Sequence, residues 1–322
     1  MRVRFQQFIA LTRLTAIETI RQPVCLILIT TAILLIGHLP ILITHTLGEG
    51  IKLVRDSSLA IHFVSGLLLG AYAACASFVH EIRRGTAASV LSKPINRELF
   101  FLAKFTGIVI VLICFSAVVT VATLLSARTV RDRYVLDWWS MGTLLAAVVA
   151  AYGTAGLMSY FLRRPFSSNA FVMLILLLAT GFVGVNFLDT EGDLATFGSR
   201  TPWSVVPASV LVAIGILVLA AISASLATRL DVVATLTICS VLFFLGLLSD
   251  YLFGRLATTG SWGRMLYGLI PNWQHFWVVD ALGEETGIPW SYLTNAGVYG
   301  LLYIAGVLCL GMVAFRHMDV RV

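Results

Sequence analysis

Eight apolar runs constrain this chain more than any other feature, because each is long enough to cross a lipid bilayer. A transmembrane helix needs about 20 apolar residues at a rise of about 1.5 Å per residue. The runs cover residues 24–44, 57–79, 100–125, 140–162, 170–188, 205–227, 232–253 and 295–315. They predict an all-α polytopic membrane protein, with about eight transmembrane helices in one transmembrane domain over residues 1–322. Six spanning helices with additional re-entrant helices are the alternative.

The composition excludes other classes of protein. Of the 322 residues, 59% are hydrophobic and 12% are charged, whereas a soluble domain is about 25% charged. Water-soluble globular domains and disordered chains are therefore excluded. The five cysteines all fall in apolar runs and form no CxxC pair, so we expect them to be small buried hydrophobic residues rather than a disulfide framework.

The charge distribution predicts the orientation. With both termini in the cytoplasm, the inner segments carry 14 cationic and 5 acidic residues, and the outer segments carry 8 and 11. This satisfies the positive-inside rule for a multi-pass protein of the inner (cell) membrane, although Arg128, Arg131 and Arg133 fall on the outer side. The net charge of +6 then needs no nucleic-acid partner. All seven tryptophans fall in or beside outer segments, where indole rings favour the headgroup level.

Two segments outside the runs have helical patterns. Residues 1–23 form an amphipathic pattern that predicts an interfacial helix on the inner surface, and Pro23 marks the turn into the first span. Residues 254–294 are long and apolar for a loop, and Pro271 interrupts their helical spacing. They predict a re-entrant or interfacial segment at the outer face.

Chemistry-bearing motifs are missing from the sequence. It contains no P-loop, no HExxH and no GxSxG, so we expect no catalytic residue and no bound nucleotide in this chain, and we expect no metal site. His38 and His62 lie in the outer parts of the first two spans. One hypothesis places them along a substrate path, and the alternative is ordinary packing or interface histidines.

The inner loop over residues 80–99 is the most informative cytoplasmic segment. Its charged and apolar residues predict a short helix at the inner membrane surface, and Pro94 ends that helix because proline disfavours helix at the residue before it. Such a helix is suited to docking into a groove on a cytoplasmic partner. The alternative is a solvated loop that only obeys the positive-inside rule.

The same loop resembles the coupling-helix region of permease subunits of type-2 ABC exporters. The resemblance rests on a Glu, a Gly-Thr pair, a Leu-Ser-x-Pro and an Arg at the family's spacing, with Lys104 on entry to the next span; Ala103 replaces the usual glycine before it. The residues that it implies for docking on the ATPase are Glu81, Arg83, Arg84, Gly85, Thr86, Leu91, Ser92, Pro94 and Arg97.

The resemblance implies the membrane half of an ATP-driven exporter that moves its substrate by alternating access. A separate ABC ATPase subunit would bind ATP and Mg²⁺, and a second permease copy, identical or different, would complete the complex. Two other functions stay open on the sequence. The chain could be a non-transporting membrane anchor or docking subunit of an ABC-like complex, or a membrane-embedded enzyme that acts on lipid. The sequence does not identify the substrate.

Overall fold

Long helices dominate the computed structural model, which describes residues 2–43, 50–83, 96–130, 136–254, 260–278 and 288–316. Within these residues the chain forms ten α-helices and no strand. The helices are α1 (Arg2–Arg21), α2 (Pro23–Leu42), α3 (Gly50–Arg83), α4 (Arg97–Thr129), α5 (Trp138–Leu162), α6 (Phe166–Val185), α7 (Val205–Leu226), α8 (Val232–Leu247), α9 (Ser261–Leu269) and α10 (Trp290–Arg316). A one-turn π-helix (Asp250–Gly254) follows α8, and a 3₁₀ turn (Trp273–His275) follows α9.

Seven of the described helices are long and apolar enough to cross a membrane: α2, α3, α4, α5, α6, α7 and α10. The prediction of an all-α polytopic membrane fold is confirmed. The seventh run, residues 232–253, is divided, because α8 ends after 16 residues and the π-helix continues the chain. A helix of this length rises about 24 Å, less than the roughly 30 Å of a hydrocarbon core.

The division after α8 coincides with a close packing contact at Gly246. A Cβ atom at Gly246 would lie 2.3 Å from the carbonyl oxygen of Pro271 and 2.4 Å from Nε1 of Trp273. The Trp273 side chain is fully buried and contacts the rings of Phe63 and Phe243. The segment after α9 is therefore packed into the end of the bundle, rather than looping away from it.

Polar contacts hold the same segment together. The carboxylate of Asp250 accepts hydrogen bonds from the Tyr267 hydroxyl and the Asn272 amide, both over 2.7 Å. The bond to Asp250 is the main reason that the pKa of Tyr267 lies above its ordinary value. The Tyr303 hydroxyl on α10 donates to the carbonyl oxygen of Leu269 over 2.7 Å. The re-entrant or interfacial position in a bilayer that the sequence predicts for residues 254–294 stays a prediction.

The centre of the bundle is formed by α3, α4 and α7. Small residues let α3 and α7 approach closely: a Cβ atom at Gly66 would lie 2.1 Å from Cδ1 of Ile216, and one at Gly70 would lie 3.3 Å from Cβ of Ala220. The buried Ser223 hydroxyl donates to the carbonyl oxygen of Ala71 over 2.7 Å. Small residues and hydroxyl-to-carbonyl bonds are the usual contacts between helices in lipid.

The N-terminal helix α1 packs across α4. The hydroxyl of Thr12 donates to the carbonyl oxygen of Ala103 over 3.2 Å. A Cβ atom at Gly107 would lie 2.6 Å from the carbonyl oxygen of Thr12, so the two backbones are almost in contact. Phe5, two turns before Thr12, stays exposed. This arrangement is compatible with the interfacial helix expected over residues 1–23, whose place in a membrane stays a prediction.

Candidate functional site

The predicted docking residues fall between the end of α3 and the start of α4. Glu81 and Arg83 belong to the last turn of α3, and Arg97 is the first residue of α4. The other six, Arg84, Gly85, Thr86, Leu91, Ser92 and Pro94, lie outside the described residues. The segment over residues 84–95 therefore joins two helices that are packed side by side, so whatever it contacts acts on both.

A buried lysine ties these two helices together just below the segment. Lys104 on α4 is only 2% exposed. Its Nζ atom donates to the carbonyl oxygen and to the hydroxyl of Ser77 on α3, over 3.0 and 3.1 Å. It also lies 5.7 Å from the ring centre of Phe78 and 5.5 Å from that of Phe100. A buried ammonium group needs such partners, so the contact fixes α3 against α4 at this level.

Arg97 is the predicted docking residue whose side chain the structure describes, and it contacts another helix of the same chain. Its Nη1 atom donates to the carbonyl oxygen of Arg316, the last residue of α10, over 3.1 Å. Asn96 precedes it as the N-cap of α4 and accepts a hydrogen bond from the amide of Glu98 over 3.4 Å. The cap fixes the start of α4, and Arg97 joins that start to the end of α10.

Aromatic packing reinforces the same junction. Phe315 on α10 is 1% exposed. Its ring stacks on Phe100 with 6.0 Å between ring centres and an interplanar angle of 12°, and lies 6.1 Å from Phe101. We call Arg97, Phe100, Phe101, Phe315 and Arg316 the α4–α10 latch. Aromatic pairs of this kind contribute about 0.5–1.5 kcal/mol each beyond the area that they bury.

The end of α7 joins the latch from its other side. Nη2 of Arg229 donates to the carbonyl oxygen of Ala314 over 2.8 Å. The Ser225 hydroxyl donates to the carbonyl oxygen of Val307 over 3.0 Å. A Cβ atom at Gly311 would lie 2.5 Å from Oγ of Ser225 and 2.8 Å from Cζ of Phe101, so glycine is needed for this approach. The latch was missed from the sequence, although the Phe-Phe pair opening one span and the Phe-Arg closing another were its signals.

The two histidines considered for a substrate path lie in different environments. His38 is exposed, and its Nδ1 atom lies 2.7 Å from the carbonyl oxygen of Leu34, one turn earlier on α2. His62 is fully buried on α3, with its ring centre 6.1 Å from that of Phe115 on α4. A substrate path along them stays a prediction. Across the part of the chain that the structure describes, no group of three or more His, Cys, Asp or Glu side chains is placed to hold a metal ion.

Comparison with known proteins identifies the family. The family model described as ABC-2 family transporter protein matches residues 24–230, which is more than half of the chain. The chain belongs to the ABC-2 transporter family. No curated protein and no solved structure matches it. The ABC-2 match runs from α2 through α7 and includes both helices that border residues 84–95, which identifies the chain as a permease subunit of an ABC transporter. Membership implies a membrane setting and an ABC ATPase as partner.

Proposed function

We propose that this ABC-2 permease is the membrane subunit of an ATP-driven exporter, and that a separate ABC ATPase docks on residues 81–97. ATP and Mg²⁺ bind in the ATPase, and two permease copies enclose the substrate path. The observation that carries the proposal is the position of this segment between α3 and α4, two helices of the matched region that Lys104 and Ser77 hold together.

Docking uses the charges and the turn residues of the segment. Arg83 and Arg84 pair with acidic side chains of the ATPase, since charge complementarity sets the register of such an interface. Gly85 and Thr86 let the backbone approach the ATPase closely, and Pro94 fixes the path of the chain into α4. The resemblance of this run to coupling helices supports the assignment.

Transmission uses the contacts below the segment. A displacement of the docking segment pulls on the last turn of α3 and the first turn of α4 together, because Lys104 joins the two helices. Through the latch it also pulls on α10, since Phe315 is enclosed by Phe100 and Phe101. ATP-driven closure of the ATPases thereby moves three membrane helices as one body between inward- and outward-open states.

The proposed orientation rests on the positive charges at the end of the bundle that carries the docking segment. The end with the docking segment carries the exposed side chains of Arg163, Arg164 and Arg229. We place this end and both termini in the cytoplasm of a cell with an inner membrane, by the positive-inside rule. Labelling with a membrane-impermeant thiol reagent in sealed cells tests this. Gly260→Cys, where an added Cβ meets open space, reacts from outside, and Ser89→Cys does not. Labelling of Ser89→Cys overturns the orientation.

Co-purification tests the docking site. Affinity-tagged permease is isolated from its native cells, and ABC ATPase is quantified by mass spectrometry relative to permease. The change Arg83→Glu with Arg84→Glu weakens ATPase association, because breaking one side of a desolvated charge pair costs about 2–5 kcal/mol, roughly 30-fold or more in affinity. The matched control is Arg163→Glu with Arg164→Glu, an exposed pair in the short turn between α5 and α6. If the first variant retains the ATPase and the second loses it, the docking site has been assigned to the wrong loop.

Two further measurements separate an exporter from an anchor. Native mass spectrometry of the wild-type complex in nanodiscs is expected to show two permease chains and two ATPase chains. Spin labels on the two permease copies are then expected to change their separation when the complex is trapped with ATP and vanadate. A stable complex without any such change would favour a non-transporting anchor. Absence of an ABC ATPase from the wild-type preparation would contradict the proposal as a whole.

A further inference from the structure

The loop between α6 and α7, residues 186–204, is a folded unit and not a simple connection. Main-chain hydrogen bonds cross it, from the amide of Ala195 to the carbonyl oxygen of Phe187 over 2.8 Å, and from Gly198 to Asn186 over 3.1 Å. At its tip the amide of Asp189 donates to the carbonyl oxygen of Asp193 over 2.8 Å. We call this unit the α6–α7 loop. The path of its backbone is therefore fixed.

A buried arginine fixes the loop against the bundle. Arg128, near the end of α4, is 3% exposed and pairs with Asp137 over 3.1 Å between Nε and Oδ2. Its Nη1 atom donates to the carbonyl oxygen of Val185 over 2.7 Å, and its Nη2 atom to that of Leu188 over 2.5 Å. The guanidinium group thus joins α4, α6 and the start of the loop, so the loop cannot shift along these helices without breaking hydrogen bonds from a buried charged group.

Along the axis of α5, the loop lies level with the first turn of that helix. Asp137 caps this helix, because its Oδ1 atom accepts hydrogen bonds from the amides of Trp139 and Ser140 over 3.0 and 3.2 Å. Gly192, at the loop tip, lies against the indole of Trp139: an added Cβ would be 3.2 Å from Nε1. Its φ of +90° is also one that glycine alone adopts without strain. Since Trp139 begins a membrane-spanning helix, the tip lies level with the end of that span.

At this level the loop exposes large apolar side chains. Leu194 is 89% exposed, and Phe187 and Phe197, whose ring centres are 5.1 Å apart, are each about half exposed. The indole of Trp203 donates to the carbonyl oxygen of Gly198 over 3.0 Å and is likewise half exposed. Several exposed apolar side chains on one short folded loop mark a contact site.

We propose that the α6–α7 loop is a lipid-contacting surface that lies in the headgroup region, with Leu194 and Phe197 among the upper acyl chains. Its surface is continuous with α5 and α6, whose most apolar stretches are only 33% and 28% buried within the chain, so most of each stretch is free to contact lipid. Trp138 and Trp139 at the start of α5 are of the type that forms the aromatic belt of membrane proteins. Of the acidic residues in the loop, Asp189 is paired with Arg200 over 2.6 Å, and the exposed Glu191 and Asp193 are assigned to the water side of the headgroup region.

Spin-label accessibility tests the proposal directly. Leu194→Cys and the control Glu191→Cys, three residues away on the exposed tip, are made in a chain whose five cysteines are replaced by alanine. Each is spin-labelled in phosphatidylcholine–phosphatidylglycerol liposomes, and collision rates with oxygen and with nickel–EDDA are measured. The label at 194 is expected to collide mainly with oxygen, which concentrates in lipid, and the label at 191 mainly with the water-soluble nickel complex.

Each other outcome overturns the proposal. Strong collision with the nickel complex at position 194 means that the loop lies in water, and weak collision with both agents means that protein covers it. If the cysteine-free chain does not fold, a photoreactive benzoylphenylalanine at position 194 of the otherwise native chain asks the same question. A lipid adduct at position 194, detected by mass spectrometry, supports the proposal, and a protein adduct or no adduct contradicts it.

Discussion

Nη1 of Arg97 donates a hydrogen bond to the main-chain carbonyl oxygen of Arg316 across 3.1 Å, although 219 positions separate the two residues. The contact puts the exit of the docking segment on the end of the last membrane helix. It also separates two roles that the sequence assigned together. Arg97 contacts α10 of the same chain, so we expect it to transmit motion, while residues earlier in the segment bind the ATPase.

Arg97→Ala is expected to leave ATPase binding unchanged and to reduce the ATP-driven movement of α10. The bond to Arg316 is removed, but the start of α4 retains its Asn96 cap. We expect co-purified ATPase to stay at the wild-type level, and the vanadate-induced change in spin-label separation on α10 to shrink. Arg229→Ala is the matched control, since Arg229, in the turn after α7, donates to the neighbouring carbonyl oxygen of Ala314. If the Arg97→Ala variant no longer co-purifies with the ATPase, Arg97 belongs to the docking surface.

Lys104→Met is expected to loosen α3 from α4. The methionine keeps the length of the side chain but leaves the carbonyl oxygen and hydroxyl of Ser77 without their donor, which costs about 1–3 kcal/mol. Thermal unfolding in detergent should show the loss as a lower midpoint. Lys52→Met, at an exposed position on α3, should leave the midpoint unchanged. Equal midpoints for both variants would mean that the Lys104 contact contributes nothing to stability.

Arg128→Ala is expected to be among the most destabilising single changes. It leaves the Asp137 carboxylate buried and unpaired, at a cost of about 3–5 kcal/mol. The comparison is Arg200→Ala, which removes a partly exposed ion pair to Asp189 and should cost about 1 kcal/mol or less. Chemical denaturation in mixed micelles measures both. The double change Arg128→Met with Asp137→Asn should recover part of the loss, because no buried charge is then left alone.

Gly246→Ala is expected to displace the segment after α9. The added methyl group would overlap the carbonyl oxygen of Pro271 and the indole of Trp273. Gly268→Ala is the control, because a Cβ atom there meets nothing within 4 Å. Limited proteolysis of the purified protein should cut the first variant faster between α8 and α10. Similar cleavage of both would show that the close approach at Gly246 tolerates a side chain.

Hydropathy predicts the helices well, because the need to satisfy backbone groups in lipid leaves a long apolar run few alternatives to helix. It fails at residues 232–253, where the run is continuous but the helix is not. The contact that accompanies the break joins Gly246 to Trp273, 27 positions apart. No local pattern contains such a contact.

The same argument explains Arg128. In the sequence it was an exception to the positive-inside rule, because that rule counts charges in loops. In the structure it is buried against Asp137 and against carbonyl groups 57 and 60 positions away. The docking residues could be predicted from the sequence for the opposite reason, since their spacing is local, and their role stays a prediction. The latch joins distant parts of the chain and required the fold.

Lys104 has a practical consequence because the chain contains only two other lysines, Lys52 and Lys93. Amine-reactive reagents therefore have few targets besides the N-terminus, and the buried ammonium of Lys104 is shielded by the rings of Phe78 and Phe100. It becomes available to a reagent only when α3 and α4 separate. The rate at which Lys104 is acylated during turnover therefore reports whether α3 and α4 stay together as they move, in the unmutated protein and without an attached probe.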